Sequence, residues 1–391
     1  MTSSRCYLNA LGIVNALGMD RTSVARGLAL GDTSGMAPAR FIAGQVIVGR
    51  CRHEVLPELP ASLAHYECIN NRLLMAALAQ IETELDAALH RYGPARIGVV
   101  LGTSTSGVAS SEVALAELAA GRDLPTGYDY RQMEIGAAAP FVAQVLGVTG
   151  PAYTVSTACT SSAKAFASAR RLLQLGMVDA VVVGGADALC ELTIGGFAAL
   201  ESTSAVLANP LSRNRAGINI GEGAALFLMS RDEAEVALLG VGESSDAHHI
   251  SAPEPEGRGA ELALRAALRD AGLDAQVIDY VNLHATATDK NDAMESRMMA
   301  RLFPDAVATS GTKPLTGHLL GAAGATELAF CWLLLTGVLP YFPPHVWDGA
   351  ADPDLPVLDL IEPGRRWTGG TYCMSNSFAF GGSNASLIIG R

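Results

Sequence analysis

Short apolar runs alternate with longer helix-like stretches along the whole of this 391-residue chain. Ala180-Val181-Val182-Val183-Gly184 is a nearly continuous apolar run, as expected of a strand that is buried on both faces of a sheet. Alternation of this kind predicts α/β layers around a buried sheet. The predicted strands are 97–101, 180–184, 224–228, 280–283, 372–374 and 385–389, and the predicted helices are 72–89, 163–175, 259–271 and 322–335.

The length and an internal repetition together indicate two halves. A chain of 391 residues exceeds the size at which a single core stops growing. A glycine-rich turn precedes an apolar strand twice, at Gly221-Glu222-Gly223 and at Gly381-Gly382-Ser383. We therefore predict a duplicated unit, with halves at residues 1–235 and 236–391. The alternative is coincidence in a chain that contains 41 glycines.

Composition excludes several classes of protein. The net charge of −12 offers no basic surface for nucleic acid. The longest apolar run, 328–339, is too short to insert across a bilayer, and the first residues lack the features of a signal peptide. The seven cysteines form no C-x-x-C pair, so neither a metal knuckle nor a disulfide framework is indicated. A reducing cytoplasm is the expected location, and no bound metal is expected.

Cys159 lies between an apolar run that ends at Val155 and a helix-like stretch that follows at once. A cysteine at the start of a helix faces unpaired backbone N–H groups and the positive end of the helix dipole. Both effects favour the thiolate, which is the nucleophilic form. The alternative is a small buried cysteine that only fills space.

Two histidines stand in sequence that suits a polar pocket. His284 ends the apolar run 280–283, and His318 follows Thr316-Gly317 and precedes a stretch of small residues. Lys313 lies five residues before His318, and Glu327 follows on the predicted helix. Each histidine alone is also compatible with a hydrogen-bonded core residue, and Lys313 with a solvated loop. The adjacent pair His248-His249 is interpreted as loop structure, since neighbouring residues rarely chelate together.

Four ordered motifs resemble those of the β-ketoacyl-acyl carrier protein synthases, in the elongating branch whose active site is Cys-His-His. The resemblance runs essentially end to end. The motifs are Thr157-Ala158-Cys159-Thr160-Ser161, His284 with Thr286, Thr288, Asn291, Asp292 and Glu295, Lys313 with Gly317-His318 and Gly321-Ala322-Ala323-Gly324, and Ser375–Asn384.

The resemblance implies the α/β thiolase fold, in which two similar halves each carry a mixed five-stranded sheet in an α-β-α-β-α stack. It implies a decarboxylating Claisen condensation on acyl carrier protein substrates, with no resident cofactor because the phosphopantetheine arm arrives on the carrier. Cys159 would take the acyl group, His284 and His318 would stabilise the enolate, and the N–H groups of Cys159 and Phe380 would form the oxyanion hole. Lys313 would orient His318, and Glu327 would anchor that network.

The resemblance also assigns roles around the site. Thr286 and Thr288 would bond the phosphopantetheine arm, and Phe378 would line the acyl site. Thr105 falls where the family sets the floor of the acyl pocket, near the dimer interface, and a polar residue there suggests an unsaturated or aryl-capped chain. Arg213 and Arg215 would contact the acidic carrier protein, the alternative being two solvated arginines.

The same resemblance gives expectations for the oligomeric state and for alternative functions. A homodimer is implied, and the alternative is one subunit of a ketosynthase/chain-length-factor heterodimer with a structural or chain-length-setting role. A thiolase is disfavoured because it needs a Cys-x-Gly-Gly-Gly turn, whereas Cys373 is followed by Met374. The starter-condensing branch of the family is disfavoured because His318 stands where that branch has an asparagine.

The chain departs from the family pattern at six positions in three stretches. Alanines replace glycines at Ala285, Ala287 and Ala379, and Asp289 replaces a proline. In the usual Arg-Asp-Gly-Phe turn, Ala216 and Ile218 replace the aspartate and the phenylalanine. Since glycine adopts backbone angles that alanine resists, we expect a stiffer gate at Ala379. These changes suggest a divergent, pathway-specific member.

Overall fold

The computed structural model describes residues 5–391, so the start of the chain, where no signal peptide is predicted, lies partly outside the described residues. The strands are β1 (Cys6–Val14), β2 (Met36–Phe41), β3 (Gly44–Gly49), β4 (Ile97–Gly102), β5 (Ala152–Val155), β6 (Ala180–Asp187), β7 (Ile220–Gly221), β8 (Gly223–Ser230), β9 (Ala237–Ser245), β10 (Tyr280–Asn282), β11 (Ala308–Ser310), β12 (Asp359–Leu360), β13 (Tyr372–Ala379) and β14 (Ser383–Gly390). The helices are α1 (Arg21–Leu30), α2 (Ile69–Leu78), α3 (Glu82–Tyr92), α4 (Val108–Ala119), α5 (Ala138–Leu146), α6 (Ser161–Gln174), α7 (Glu191–Ala199), α8 (Arg258–Ala271), α9 (Asp289–Leu302), α10 (Lys313–Thr316) and α11 (Ala323–Leu335).

The two halves carry sheets of the same topology. The strand order is β5-β4-β6-β8-β1 in the first half and β11-β10-β13-β14-β9 in the second. Equivalent neighbours pair with the same sense: β4–β6 and β10–β13 are parallel, whereas β6–β8 and β13–β14 are antiparallel. The predicted pair of mixed five-stranded sheets is present. The two-residue β12 extends the second sheet, and a short β1–β9 pairing joins the two.

Side-chain alternation along the strands builds the five layers. Val181 and Val183 of β6 face a central core with α6 and α11, while Ala180 and Val182 face an outer core with α2 and α5. The second sheet likewise has α6 and α11 on its inner face and α8 and α9 on its outer face. Helices α6 and α11 therefore form the layer between the sheets, where Cys159 lies.

The predicted strands coincide with β4, β6, β8, β10, β13 and β14, but one helix prediction is wrong. The predicted helix over 72–89 is two helices, α2 and α3, separated by a 3-10 turn at Ala79–Ile81. Gln80 in this turn bonds both backbone groups of Ile13 in β1, at 3.2 Å and 3.0 Å. The break allows this side chain to reach the strand, a tertiary contact that periodicity does not reveal.

Small residues let the two central helices approach closely. A Cβ atom on Gly324 of α11 would lie 2.9 Å from the Cβ of Ala163 in α6. The glycine-rich stretch after His318 thus serves helix packing, which brings the two halves of the site together. None of the helices within residues 5–391 is long and apolar enough to cross a membrane.

Candidate active site

Cys159 lies in a strained turn between β5 and the start of α6. The preceding residue, Ala158, has φ of 51° in the left-handed region, which costs a non-glycine residue about 1–2 kcal/mol. The Ser161 hydroxyl holds this turn, since it accepts from the Thr157 N–H at 2.9 Å and donates to the Ala158 carbonyl at 2.5 Å. The cysteine is 6% exposed. Stored backbone strain at a buried cysteine is typical of a functional turn.

His318 is the nearest polar partner of the cysteine. Its Nε2 lies 3.0 Å from the Cys159 Sγ. Its backbone is fixed on both sides, because its N–H donates to the Asn219 carbonyl at 2.7 Å and its carbonyl accepts from the Gly221 N–H at 3.0 Å. Its buried Nδ1 has no hydrogen-bond partner within residues 5–391. A bare nitrogen lone pair is cheaper to bury than an orphaned N–H, which favours the tautomer with the proton on Nε2.

His284 completes the group, and Lys313 supports it. The rings of His284 and His318 are nearly perpendicular, with centroids 5.2 Å apart. The Lys313 Nζ lies 3.4 Å from the His284 Nδ1, also donates to the His284 carbonyl, and pairs with Glu327 Oε1 at 2.5 Å. Lys313 is predicted to set the electrostatics and orientation of His318: its charge does lower the pKa of His318, but its ammonium contacts His284 and orients that residue instead. Because the ammonium can only donate, His284 carries its proton on Nε2.

Burial governs the charges of the site. Desolvation raises the pKa of the Cys159 thiol to about 12, although the Lys313 charge acts in the opposite direction. Burial, with the positive charge of Lys313, lowers the pKa of both histidines well below the usual value. At neutral pH the resting site therefore holds a neutral thiol and two neutral imidazoles. The expectation that the helix start alone favours the thiolate does not account for this desolvation.

Two buried carboxylates of α9 shape the turn after His284. Glu295 accepts the backbone N–H groups of His284 at 2.8 Å and of Ala285 at 2.7 Å, and Asp292 accepts that of Ala287 at 3.2 Å. Ala285 and Ala287 have φ of 39° and 62°. The alanines that replace the family's glycines thus occupy left-handed positions, which the carboxylates maintain.

The three functional atoms are close enough to consider a metal ion. The ligand atoms of Cys159, His284 and His318 lie within 4.8 Å of one another. A ligating histidine usually donates its other N–H to a carboxylate or carbonyl. Here the other nitrogen of His284 faces the Lys313 ammonium, which cannot accept a hydrogen bond and repels a cation. The donor set therefore suits proton and oxyanion chemistry better than a metal ion.

One cavity of about 380 Å³ leads from this group to the surface. Its wall contains Phe378 and Phe380, and the ring of Phe380 lies 5.3 Å from that of Phe197. Thr286 and Thr288 also line it, with their hydroxyl oxygens 3.0 Å apart. A thioester group that enters this cavity meets the Cys159 sulfur at its buried end.

Comparison with known proteins identifies the family. The model of the β-ketoacyl synthase N-terminal domain matches residues 71–234, and that of the C-terminal domain matches residues 235–344. The chain belongs to the β-ketoacyl synthase family. The predicted boundary between residues 235 and 236 falls just before β9 and stays a prediction.

Relatives extend this assignment over the full length of the synthase. The chain is 33% identical to 3-oxoacyl-(acyl-carrier-protein) synthase 2 of Vibrio cholerae over 81% of each protein. It is 44% identical, with a TM-score of 0.95, to a chain of the ketosynthase in complex with its chain length factor from Xenorhabdus doucetiae, covering 99% of this chain and 98% of that one. The ishigamide ketosynthase/chain length factor is similar at 27% identity and a TM-score of 0.87, over 100% and 99%.

Two predicted residues of this synthase are not part of the cavity wall. Thr105 is buried, and its hydroxyl donates to Asp187 Oδ1 at 2.7 Å and accepts from the Ala188 N–H at 3.0 Å. It does not line the cavity, and its polarity serves Asp187, so it offers no support for an unusual acyl chain. Arg213 is exposed on the surface, outside the cavity wall.

Arg215 differs from Arg213 in its surroundings. Its side chain is 9% exposed, lies in the cavity wall, and pairs with Asp352 at 2.5 Å and with Asp289 at 3.1 Å. An arginine held by two carboxylates is not free to dock a carrier protein. We assign Arg215 to the structure of the cavity mouth, where it joins the loop after Ser212 to the start of α9.

Sequence reasoning missed Asp187, at the end of β6. Its two oxygens accept from Thr103, Ser104 and Thr105 on one side and from the Ala322 N–H on the other. It therefore fixes the start of α11 beside the site. The available signal was an aspartate that ends the apolar strand 180–186, which is costly to bury unless it is bonded.

Proposed function

We propose that this protein is a β-ketoacyl-acyl carrier protein synthase, an acyltransferase that condenses an acyl group held on Cys159 with a malonyl thioester. The observation that carries the proposal is the Cys159 sulfur at the closed end of a cavity, 3.0 Å from one neutral imidazole and beside a second. In this proposal the phosphopantetheine arm arrives on the carrier, and no resident cofactor takes part.

Acylation comes first in the proposed reaction. The Cys159 sulfur attacks the thioester carbonyl, the carbon–sulfur bond to the carrier arm breaks, and the thiol proton leaves on the carrier thiol. The Nε2–H of His318, 3.0 Å from the sulfur, stabilises negative charge that forms there. The backbone N–H groups of Cys159 and Phe380 are proposed to hold the oxyanion of the tetrahedral intermediate.

Condensation follows when a malonyl thioester replaces the first carrier. Carbon dioxide leaves, and the electron pair of the broken bond forms an enolate whose oxygen accepts from the Nε2–H groups of His284 and His318. Neutral imidazoles are suitable donors because they offer an N–H at neutral pH. The enolate carbon then attacks the acyl carbonyl, the carbon–sulfur bond to Cys159 breaks, and the departing thiolate takes a proton from water.

We propose that the synthase works as a dimer of two chains of the same fold, and we favour a chain-length-factor-like partner. Two complexes of this kind are similar to the chain over its whole length. Strand β5 is at the edge of its sheet, and α4 exposes Val113, Leu115 and Leu118. The second candidate, that this chain is itself the chain-length-setting subunit, is disfavoured by the complete Cys-His-His group.

The location and the carrier contact complete the proposal. All seven cysteines are buried, and Cys51, Cys68, Cys159, Cys190, Cys331 and Cys373 form no disulfide within residues 5–391, which suits a reducing cytoplasm. Exposed Arg213 is the proposed contact for acidic groups of the carrier.

Intact-protein mass spectrometry with a panel of acyl carrier proteins tests the function. The protein should gain the mass of one acyl group on Cys159, and malonyl carrier should then remove it as a ketoacyl product. Cys159→Ala should gain no mass. An unchanged mass of the native protein, both alone and with a chain-length-factor-like partner, would overturn the proposal.

A further inference from the structure

Within the part of the chain that the structure describes, the open end of the cavity carries one cation whose charge is not neutralised by a neighbour. Among the charged residues that line the cavity, Arg215 is held by Asp352 and Asp289. Lys290 also lines the cavity, is exposed, and has no ion pair or side-chain hydrogen bond within residues 5–391. An ammonium in this position is available to an incoming anion.

Lysine is rare in this protein. The sequence contains three lysines, Lys164, Lys290 and Lys313, all within the described residues, whereas arginine supplies the other cations. Lys313 is buried and Lys164 is half-buried, so Lys290 is the exposed one. The wall that contains Lys290 also contains Arg215 and three acidic residues, Glu201, Asp246 and Asp289. A free cation there stands out against a net charge of −12.

The position of Lys290 relates it to the path of the substrate. It is two residues after Thr288, whose hydroxyl lies in the cavity wall beside that of Thr286. The buried end of the same cavity holds the Cys159 sulfur. An arm that delivers its thioester to Cys159 therefore leaves its opposite, phosphorylated end toward the exposed residues of the mouth.

We propose that Lys290 is a positioning residue that binds the phosphate of the phosphopantetheine arm. This inference rests on the proposed function, because it takes carrier-borne thioesters as the substrates. The ammonium provides a point charge at the mouth, which a phosphodiester oxygen can reach without displacing a carboxylate partner. The contact is exposed, so its contribution is modest and is screened by salt.

Three thioesters of the same acyl group separate the possible sources of the anion. They are acyl-pantetheine, which has no phosphate, acyl-phosphopantetheine, and the acyl carrier protein. Lys290→Met should raise KM about two- to fivefold for the two phosphate-containing substrates, with kcat unchanged and no effect on acyl-pantetheine. Lys290→Arg should restore most of the binding, and added salt should reduce the difference. Arg26→Met, which removes an exposed cation outside the cavity wall, is the matched control.

A change with the carrier protein alone would indicate a carboxylate of the carrier and overturn the phosphate assignment. Equal KM values for Lys290→Met and the native protein would overturn it as well. If the native protein accepted none of the three thioesters, the proposed function itself would fail.

A binding measurement tests Lys290 without catalysis. An amine-reactive reagent, followed by peptide mass spectrometry, should label Lys290 readily because it is the exposed lysine. Phosphopantetheine should protect it, whereas pantetheine should not. Equal labelling in the presence of both would refute the inference, whatever the enzyme activity.

Discussion

The two ends of the cavity are built in different ways. At the closed end, buried backbone hydrogen bonds fix the positions of Cys159, His284 and His318. The supporting Lys313–Glu327 ion pair is also buried, with side chains that are 3% and 4% exposed. The open end depends on side chains such as Lys290 and Asp289, the latter 83% exposed. Low dielectric strengthens the interactions of the closed end, whereas water and salt weaken those of the open end. We therefore expect the effects of substitution to fall steeply from one end to the other.

The largest effects should separate the two histidines of the closed end. His284→Ala should reduce condensation by roughly 10²–10³-fold, since it removes a donor to the enolate. It should leave acylation of Cys159 much less affected, because the partner of the sulfur is His318. His318→Ala should slow both steps. Acyl-enzyme formation by mass spectrometry and ketoacyl product by chromatography measure the two steps separately. Equal loss of both steps in His284→Ala would contradict this division of roles.

Substitutions of Lys313 and Glu327 should change the pKa of Cys159, and so its alkylation rate, in opposite directions. The Lys313 charge lowers the pKa of Cys159 and the Glu327 charge raises it. Lys313→Met should therefore reduce the thiolate fraction and slow alkylation by iodoacetamide between pH 8 and 10, by about tenfold for each pKa unit. Glu327→Gln, the matched control, should accelerate it. In the native protein the rate should still rise above pH 9, because the pKa of Cys159 is raised to about 12. A plateau near pH 7 would contradict the dominance of burial.

The closed end was largely predictable from the sequence because its residues stand in short ordered motifs. The turn around Cys159 and the strand before His284 are local structures, and both lie where the sequence predicts. The partner of Lys313 was not predictable. Lys313 is close to His318 in sequence, but the fold brings its ammonium to His284, 29 residues earlier. Proximity along the chain does not determine which way a long side chain extends.

The open end was less predictable because ion pairs between residues that are far apart in the sequence decide which charged side chains stay free. Arg213 and Arg215 are equivalent in sequence terms, yet one is exposed and the other is held by two carboxylates, of which Asp352 is 137 residues away. The same limit applies to Thr105, whose hydroxyl is taken by Asp187. A polar residue that a motif assigns to a pocket can instead satisfy a buried charge from another element.

Arg213 gives a smaller effect that tests the open end directly. Arg213→Glu should raise KM for acyl carrier protein a few fold and leave KM for acyl-pantetheine unchanged, because the contact is made to the carrier surface. Arg215→Ala should instead impair both substrates, since it loosens the cavity mouth. Steady-state kinetics at low and high salt measure these differences, and the Arg213 effect should shrink at high salt. If Arg213→Glu impaired both substrates equally, the docking role would be wrong.

The smallest effects concern the backbone, and they contrast two of the alanines that replace glycines of the family pattern. Ala287 has φ of 62°, where an L-residue is strained by about 1–2 kcal/mol, which exceeds the entropic cost of glycine of about 0.5–1 kcal/mol. Ala287→Gly should therefore raise the free energy of unfolding slightly, by about 0.5 kcal/mol. Ala379, beside Phe380, has φ of −126°, an extended conformation that any residue adopts. Ala379→Gly relieves no strain and should lower the free energy of unfolding by about 0.5–1 kcal/mol. If the gate predicted at Ala379 is stiffer, the reason is that alanine has fewer accessible backbone conformations than the glycine of the family pattern. Strain in the resting state is not the reason. Urea unfolding midpoints of the two variants measure the contrast, and shifts of the same sign would show that backbone angle is not what distinguishes these positions.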